Sequence, residues 1–564
     1  MFTTSRGHRR CAAAIVVVLG GVLATSASAA AQSPQVIRFD GGGFDRAAAV
    51  ATDRDGNTFI GGSSESPASQ NTFTVVKLGP DGSRRFTARY DGSRGGVGGS
   101  ADAVAVDAAG NVYAAGYISD GVIFAANLDI LVVKFAPDGK QEWAQRYDGP
   151  VRGRDTARAA VVDGAGNVYV TGSSAGNPSD WVTLKLTPDG RLQWERRLNG
   201  AETFSADEPA DMALLPDGNV VVTGVTQNIG DQITNDGETI AYDPQGATVW
   251  RARFTDTAIS HEILSDLDVD AAGRIAVTGT TALNASPELP VPPTPVTLRY
   301  DSRGTLLQRV PAGGNAIDVD PTGGFRVVAG SSLMTGEGPL VRAFDPAGNA
   351  LWQTRLTLPS GDFMVVPKIA AASTGEVTVA GTVGGFGGGM SDYLTVGLAS
   401  DGREVFRHRF DGPDEPGSPV GDEVAGLAIA AGDVPVVTGT SWNGSAFTGG
   451  TASDIVTLRF AAGATPPPSA PAAPSQLSAT AQSRSAVQLR WQDNADNEDG
   501  FRIERCAGNT CTTFTQVAVV GRDATGFLDT GLARNTTYSY RVRGFNAAGA
   551  SSFSNRATAR TTHS

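Results

Sequence analysis

The sequence predicts an all-β chain: an eight-bladed β-propeller of four-stranded blades, its last blade closed by the N-terminal strand, followed by a small second β domain. Three observations carry that prediction. Seventy-one glycines among 564 residues, with only 18% charged residues, describe a turn-rich chain, since ordinary domains carry ~7% glycine and ~25% charge. A segment of the form GNVYVTG recurs through most of the chain. The two ends of the repeated region carry complementary parts of one blade. The net charge of −13, from 45 Lys and Arg against 58 Asp and Glu, removes the electrostatic footing of general nucleic-acid binding.

Residues 1–31 come first and read as a secretory signal. Arg6, Arg9 and Arg10 precede an apolar run over 12–24, and small residues Ala27-Ser28-Ala29-Ala30-Ala31 follow, the three-part layout of such segments. The run is shorter than the ~20 residues that span a bilayer, and nothing else in the sequence reads as a membrane span. Expected locations are therefore the cell surface, the medium or the periplasm, reached by the general secretory route.

The repeat follows. Its copies start at Gly56, Gly110, Gly166, Gly218, Gly273, Gly324, Gly375 and near Gly432, a period of about 54 residues. In each copy an alternating run such as AVAVD (103–107) leads through a turn into the GNVYVTG strand. A variable loop, a third strand such as WVTLKL (181–186), a turn such as TPDG (187–190) and a fourth strand such as LQWERRL (192–198) complete it. Short alternating runs bounded by turn residues argue four antiparallel strands per copy. The last copy stops after its third strand, DIVTLRF (454–460). The missing fourth-strand signature stands at the other end, in VIRFDGG (36–42), which matches FTARYDG (86–92), WAQRYDG (143–149) and FRHRFDG (406–412). A shared last blade closes a ring and removes exposed edges, an arrangement a linear stack does not use. The propeller is placed at 35–463. Large side chains recur at one fourth-strand position, Phe86, Trp143, Trp194, Trp250, Leu306, Trp352 and Phe406, and are read as packing between blades; carbohydrate stacking is the other use of the four tryptophans.

With these motifs the repeat resembles the bacterial SBBP propeller family, whose D-x-x-G-N-x-Y-V-T-G core is matched at 107–116 and 163–172 and whose D-x-x-x-x-K strand is matched at 129–134 and 180–185. The resemblance implies an exported or surface protein and does not fix an activity. That family is usually seven-bladed, whereas eight copies are counted here. Beyond it, GATPPPSAPAAP (463–474) reads as an extended spacer, with the linker at 464–474. Residues 475–562 resemble a fibronectin type III domain through Trp491 in VQLRW, GFRIERC (500–506), FLDTGL (527–532) and LARNTTYSYRVRGFN (532–546). The resemblance makes Tyr538 the tyrosine that bonds back across a sheet corner and Trp491 its core partner. Cys506 and Cys511, the two cysteines left after signal removal, are expected to pair in an exported chain; two buried thiols are the other reading.

The chemistry-bearing inventory is thin. His261, His408 and His563 are far apart, and HEILS (261–265) lacks the second histidine of a helical zinc motif. GSSAG (172–176) matches G-x-S-x-G, but Ser174 follows a strand and enters a loop rather than a helix. Asp45, Asp102, Asp155, Asp211, Asp266 and Asp422 fall at or just before first strands and could ring one mouth of a channel. There they could hold a hard cation such as calcium, with Asp102, Asp211 and Asp422 as candidate ligands; turn capping and ion pairing are the plainer use. Asp129, Asp180, Asp392 and Asp454 open third strands and are read as turn acceptors. DNADNEDG (493–500) lacks the spacing of a calcium loop. No catalytic residue and no cofactor is assigned.

Three functions compete. The favoured one is an exported, non-catalytic binding scaffold and monomer, engaging an extracellular protein or glycan through the loops at 117–128, 226–237, 281–295 and 441–453, with the C-terminal domain as spacer or adhesion module. The second is a polysaccharide-active enzyme, a glycosidase or lyase, on a propeller. The third is a quinoprotein-like redox propeller, suggested by APDGKQEW (136–143).

Overall fold

The structure is a computed structural model describing residues 33–563, apart from 67–68, 91–97, 120–126, 177–178, 199–206, 230–232, 258–259, 284–292, 332–336, 360, 386–390, 413–420, 443–452, 462–470, 496–497, 499, 522–523 and 547–548. The signal-like segment, the cores of the expected loops 117–128, 281–295 and 441–453 and most of the proline-rich linker lie outside the described residues, whereas the expected loop 226–237 is mostly the paired ends of the strands Val220–Ile229 and Ile233–Tyr242. Among the described residues all regular elements are strands, and no helix is long and apolar enough to cross a membrane. The chain divides into two compact units, 1–461 and 462–564.

The first unit contains eight four-stranded antiparallel sheets. Sheets 1 to 7 each take four consecutive strands in spatial order, over 45–90, 99–147, 156–198, 208–254, 260–310, 316–355 and 362–410. Sheet 8 takes three strands over 423–459 and, as its fourth, the N-terminal strand Gln35–Phe39. Gln35 lies opposite Arg459 and Phe39 opposite Ile455. Every sheet is an open ladder; none closes on itself. Neighbouring sheets meet along their first strands, which are Asp45–Thr52, Gly99–Val106, Thr156–Val162, Glu208–Leu214, Ser260–Val269, Ala316–Val319, Asp362–Ala371 and Glu423–Ala430. The last of these lies beside the first. There Ala47 N–H donates to Thr440 Oγ1 at 3.2 Å, and one sheet back Val424 N–H donates to Thr382 Oγ1 at 2.9 Å.

The repeated turn signal has a specific cause. In the turn between first and second strands of sheet 3, Asp163 Oδ1 accepts the N–H groups of Ala165 and Asn167, and Oδ2 accepts the Asn167 amide at 2.7 Å. Gly166 between them adopts φ +83°, a left-handed conformation that glycine alone enters without strain. Asp53 and Asp107 make the same bonds in sheets 1 and 2.

The fourth-strand tryptophans join one sheet to the next. Trp143, Trp194, Trp250 and Trp352 donate their indole N–H to the carbonyls of Pro188, Pro244, Ser302 and Ser400 at 2.8–3.1 Å, each in the last turn of the following sheet. Their rings lie over that turn's glycine: a Cβ on Gly190 would sit 2.6 Å from the Trp143 ring, and one on Gly304 2.4 Å from Trp250. Leu306 departs from this pattern. Its strand keeps the register of the others, bulge included: Leu306 pairs with Tyr300 and Gln308 with Arg299, just as Thr248 pairs with Tyr242 and Trp250 with Ala241. Gln308 therefore takes the tryptophan's place, and Leu306 is 51% exposed. Apolar layers fill the spaces between sheets, such as Phe59, Phe73, Val75, Val112, Leu131 and Val133 between sheets 1 and 2.

The second unit is a β-sandwich. One sheet holds Ser475–Ser483, Ala486–Gln492 and Gly526–Thr530; the other holds Thr515–Gly521, Gly500–Ala507, Thr537–Asn546 and Gly549–Ala550, with Ala557–Arg560 also paired to Thr537–Asn546. Trp491 packs on Phe501 with ring centroids 5.7 Å apart, and Tyr538 Oη accepts the Ala533 N–H at 3.0 Å. Cys506 and Cys511 form a disulfide with Cα atoms 6.1 Å apart.

Candidate functional site

The first strands of seven of the sheets, and Asn315 just before the first strand of sheet 6, contribute to the wall of one cavity of about 970 Å³. Its shape depends on a repeated irregularity. Six of these strands carry a β-bulge at the same place, for instance between Ala101 and Ala103, Ala157 and Ala159, and Leu264 and Asp266. The bulged residues include Asp102 and Arg158, and both line the cavity. The residue after the bulge is Ala49, Ala103 or Ala159 in sheets 1 to 3 and Gly426 in sheet 8, but Asp211 in sheet 4 and Asp266 in sheet 5. In sheet 7 the wider bulge that ends at Lys368 holds Val366 at φ +43°, an outlier for a β-branched residue. Charged side chains line the wall on most sheets, among them Arg46, Asp102, Arg158, Asp211, Asp266 and Lys368.

Asp211 and Asp266 share a hydrogen bond, and burial holds both carboxyls above the usual carboxylate range. Asp266 is pushed further by the adjacent Asp211 charge, while Lys368 acts against the rise in both. Two carboxylates this close cannot both ionise, so the pair holds a proton between them. Each also fastens the next sheet: Asp211 Oδ2 accepts Leu267 N–H at 3.4 Å, and Asp266 Oδ2 accepts Ile317 N–H at 2.9 Å. Further along the same strands Asp268 accepts Val319 N–H at 2.8 Å. Burial raises Asp268 to about 6 and, with the Asp268 charge added, Asp318 to about 7. Asp102 is raised to about 6 by burial, against the Ser100 hydroxyl at 2.6 Å and the charges of Arg46 and Arg158.

The six first-strand acids expected to form one ring fall into two groups. Asp102, Asp211 and Asp266 line the cavity. Asp45, Asp155 and Asp422 are fully buried at the crossovers between sheets, where they accept the N–H of Gly41, Gly149 and Gly412. Asp102, Asp211 and Asp422 are therefore not brought together. Among the described residues, the acid triplets close enough to share a cation are Asp40, Asp45, Asp454 and Asp129, Asp148, Asp155. Ser174 is a crossover residue as well: its Oγ donates to Asp155 Oδ1 at 2.6 Å and accepts from Arg197 at 3.0 Å. His408 packs edge-on against Phe460 with its pKa lowered by burial.

Sequence reading missed the arginines. Arg38, Arg146, Arg197, Arg253 and Arg409 stand at one fourth-strand register position and pair with Asp454, Asp129, Asp180, Asp236 and Asp392 of the adjacent third strand at up to 3.4 Å. The acids read as turn acceptors are thus largely arginine partners. The signal was present as the Arg two residues before the DG of VIRFDGG, WAQRYDG and FRHRFDG. Sheet order puts these pairs at the end of each sheet from which the second-to-third-strand loops leave. The other end carries the short Asp-capped turns.

Comparisons with known proteins bear on the second unit. Residues 472–560 match the fibronectin type III domain family. This unit is a fibronectin type III domain. The Fn3-like protein from Clostridium thermocellum is 28% identical over 16% of this chain and 92% of its own, and FN3tt 21% identical over 17% and 99%, each with a TM-score of 0.15. An alpha-amylase of Niallia circulans is 38% identical over 101 residues, 17% of this chain but only 7% of its own length.

Proposed function

We propose that the eight sheets are the blades of one propeller of SBBP type, ringed around the cavity, and that the chain is an exported binding scaffold. A ring accounts for one cavity lined by residues at or beside the first strands of all eight sheets and for the N-terminal strand serving as the fourth strand of sheet 8. The observation that carries the binding role is the difference between the two ends of the sheets. One end has capped turns, while the other has loops of very different length beside a recurrent pair, present in five of the sheets, of a largely buried aspartate with a partly exposed arginine. Variable loops on a rigid frame are the usual build of a recognition surface. The fibronectin type III domain acts as spacer or adhesion module, and its disulfide suits an oxidising compartment outside the cell.

The stretch shared with an alpha-amylase favours a second reading, action on a polysaccharide. The acid pair speaks against it, because hydrogen-bonded carboxyls are closer than the ~5 Å or more that separates the two acids of glycosidases. A glycan partner fits both facts. The test replaces the loops at 120–126, 230–232, 284–292 and 443–452 by short turns and measures capture on an array of glycans, starch included, and surface proteins. Binding should vanish while the far-ultraviolet spectrum stays unchanged. Retained binding would refute the loop assignment, and release of reducing sugar by the parent chain would establish the enzyme.

A further inference from the structure

The seam where the N-terminal strand joins sheet 8 gathers three carboxylates. Asp40 follows that strand, Asp45 opens sheet 1 and Asp454 lies in the third strand of sheet 8, and each puts one oxygen within 4.8 Å of the other two. Oxygens so spaced suit a cation with ligand distances of about 2.3–2.6 Å, the range of calcium. Asp45 is 0% and Asp454 6% exposed. Asp454 Oδ2 faces Arg38 at 3.4 Å, and Asp45 Oδ2 accepts Gly41 N–H. The Oδ1 atoms of both are buried without an aligned donor, a costly state for carboxylate oxygens.

An equivalent triplet in the same chain shows what is missing. Between sheets 2 and 3, Arg146 reaches Asp129 at 2.6 Å, and Asp155 Oδ1 accepts Ser174 Oγ at 2.6 Å and Ala175 N–H at 2.8 Å. At the seam the counterpart Ser64 lies beside Asp45 but donates instead to Glu65 O at 3.4 Å and accepts from Arg89 at 3.0 Å. The counterpart of the Ala175 N–H, that of Glu65, donates to Phe44 O. The backbone N–H that helps close one triplet is turned away from the other, and of the two donors only the Ser64 hydroxyl still bears on Asp45. With Arg38 counted, the seam triplet carries −2, and Arg89 and Glu65 just beyond it cancel.

The geometry points to a calcium-class divalent cation held by Asp40, Asp45 and Asp454, clasping the N-terminal strand to sheets 8 and 1. The inference stands whether or not the loops bind a partner. The full chain, stripped with chelator, is titrated with calcium by calorimetry and melted with and without it. One site in the ~10⁻⁴–10⁻³ M range of extracellular modules and a higher Tm with calcium are expected. Asp40→Ala alters a side chain whose one bond is to Gly42 N–H; it should weaken calcium at least tenfold and leave the Tm in chelator unchanged. Asp148→Ala, its counterpart in the closed triplet, should leave affinity as it was. Terbium gives a second readout, because Trp442 is the register partner of Ser453, next to Asp454: indole-sensitised emission should appear, be displaced by calcium and vanish in Asp40→Ala. No binding up to 10-fold above that range, or equal affinity in Asp40→Ala, would overturn the site.

Discussion

At the scale of single residues, the tryptophan over a neighbouring glycine is the contact most exposed to mutation. Trp194 is 8% exposed and donates to Pro244 O. Trp194→Ala should therefore cost ~3–5 kcal/mol, the range of large-to-small core changes, read as a lower midpoint in urea. Trp194→Phe should recover most of the packing and lose the bond. Gly190→Ala should be worse than an ordinary surface change, since it strains a positive φ and meets the Trp143 ring. The tryptophans were legible because they repeat at a constant offset. The cavity acids Asp102, Asp211 and Asp266 were named from the sequence but not told apart from the crossover acids, because a bulge reverses which face an alternating strand presents and nothing in Asp102 or Asp266 by itself marks the extra residue. Asp45, Asp155 and Asp422 stand ten or eleven residues before their turn glycines Gly56, Gly166 and Gly432, whereas Asp102, Asp211 and Asp266 stand seven or eight before theirs, and that difference separates the crossover acids from the cavity acids.

At the scale of elements, the strand Gln35–Phe39 matters beyond its five residues. It supplies a register partner to each of Ile455 through Arg459, so removing residues 33–41 leaves that strand as an open edge. Such edges template association. The truncated chain should aggregate on heating and unfold over a broader urea range than the parent; an unchanged, monomeric melt would contradict the role given to this strand. The split sheet was legible from the fourth-strand signature at the wrong end of the chain. Leu306 was misplaced by two residues: Trp143, Trp194 and Trp250 each stand four residues after the turn glycines Gly139, Gly190 and Gly246, and four residues after Gly304 stands Gln308, the residue that pairs with Arg299.

At the scale of the whole molecule, the raised carboxyls in the first unit set a pH dependence. Asp102, Asp268 and Asp318 have folded pKa values of about 6, 6 and 7 against an ordinary 3.8. A group raised on folding favours the folded state below its unfolded pKa and loses that contribution as pH rises through the folded value. The Tm of the first unit should therefore fall by a few degrees between pH 5 and pH 8. Asp318→Asn, which keeps an acceptor for the Ala371 N–H, should flatten that fall; a Tm rising over this window would contradict the burial assigned to these acids. The two-unit organisation was legible in the proline-rich composition at 463–474. The partner was not, because the loops that would meet it vary freely and share no repeat from which a role could be read.

The proposed ring is tested most directly by a cross-link between register partners of the seam. Ile37 and Thr457 face each other across the ladder, a separation that suits a disulfide. In Ile37→Cys/Thr457→Cys the account predicts an intramolecular bond in the monomer, formed under mild oxidation, seen as a 37–457 linked peptide by mass spectrometry and accompanied by a higher Tm than the reduced form. Free thiols in the folded protein, or links found only between molecules, would contradict it.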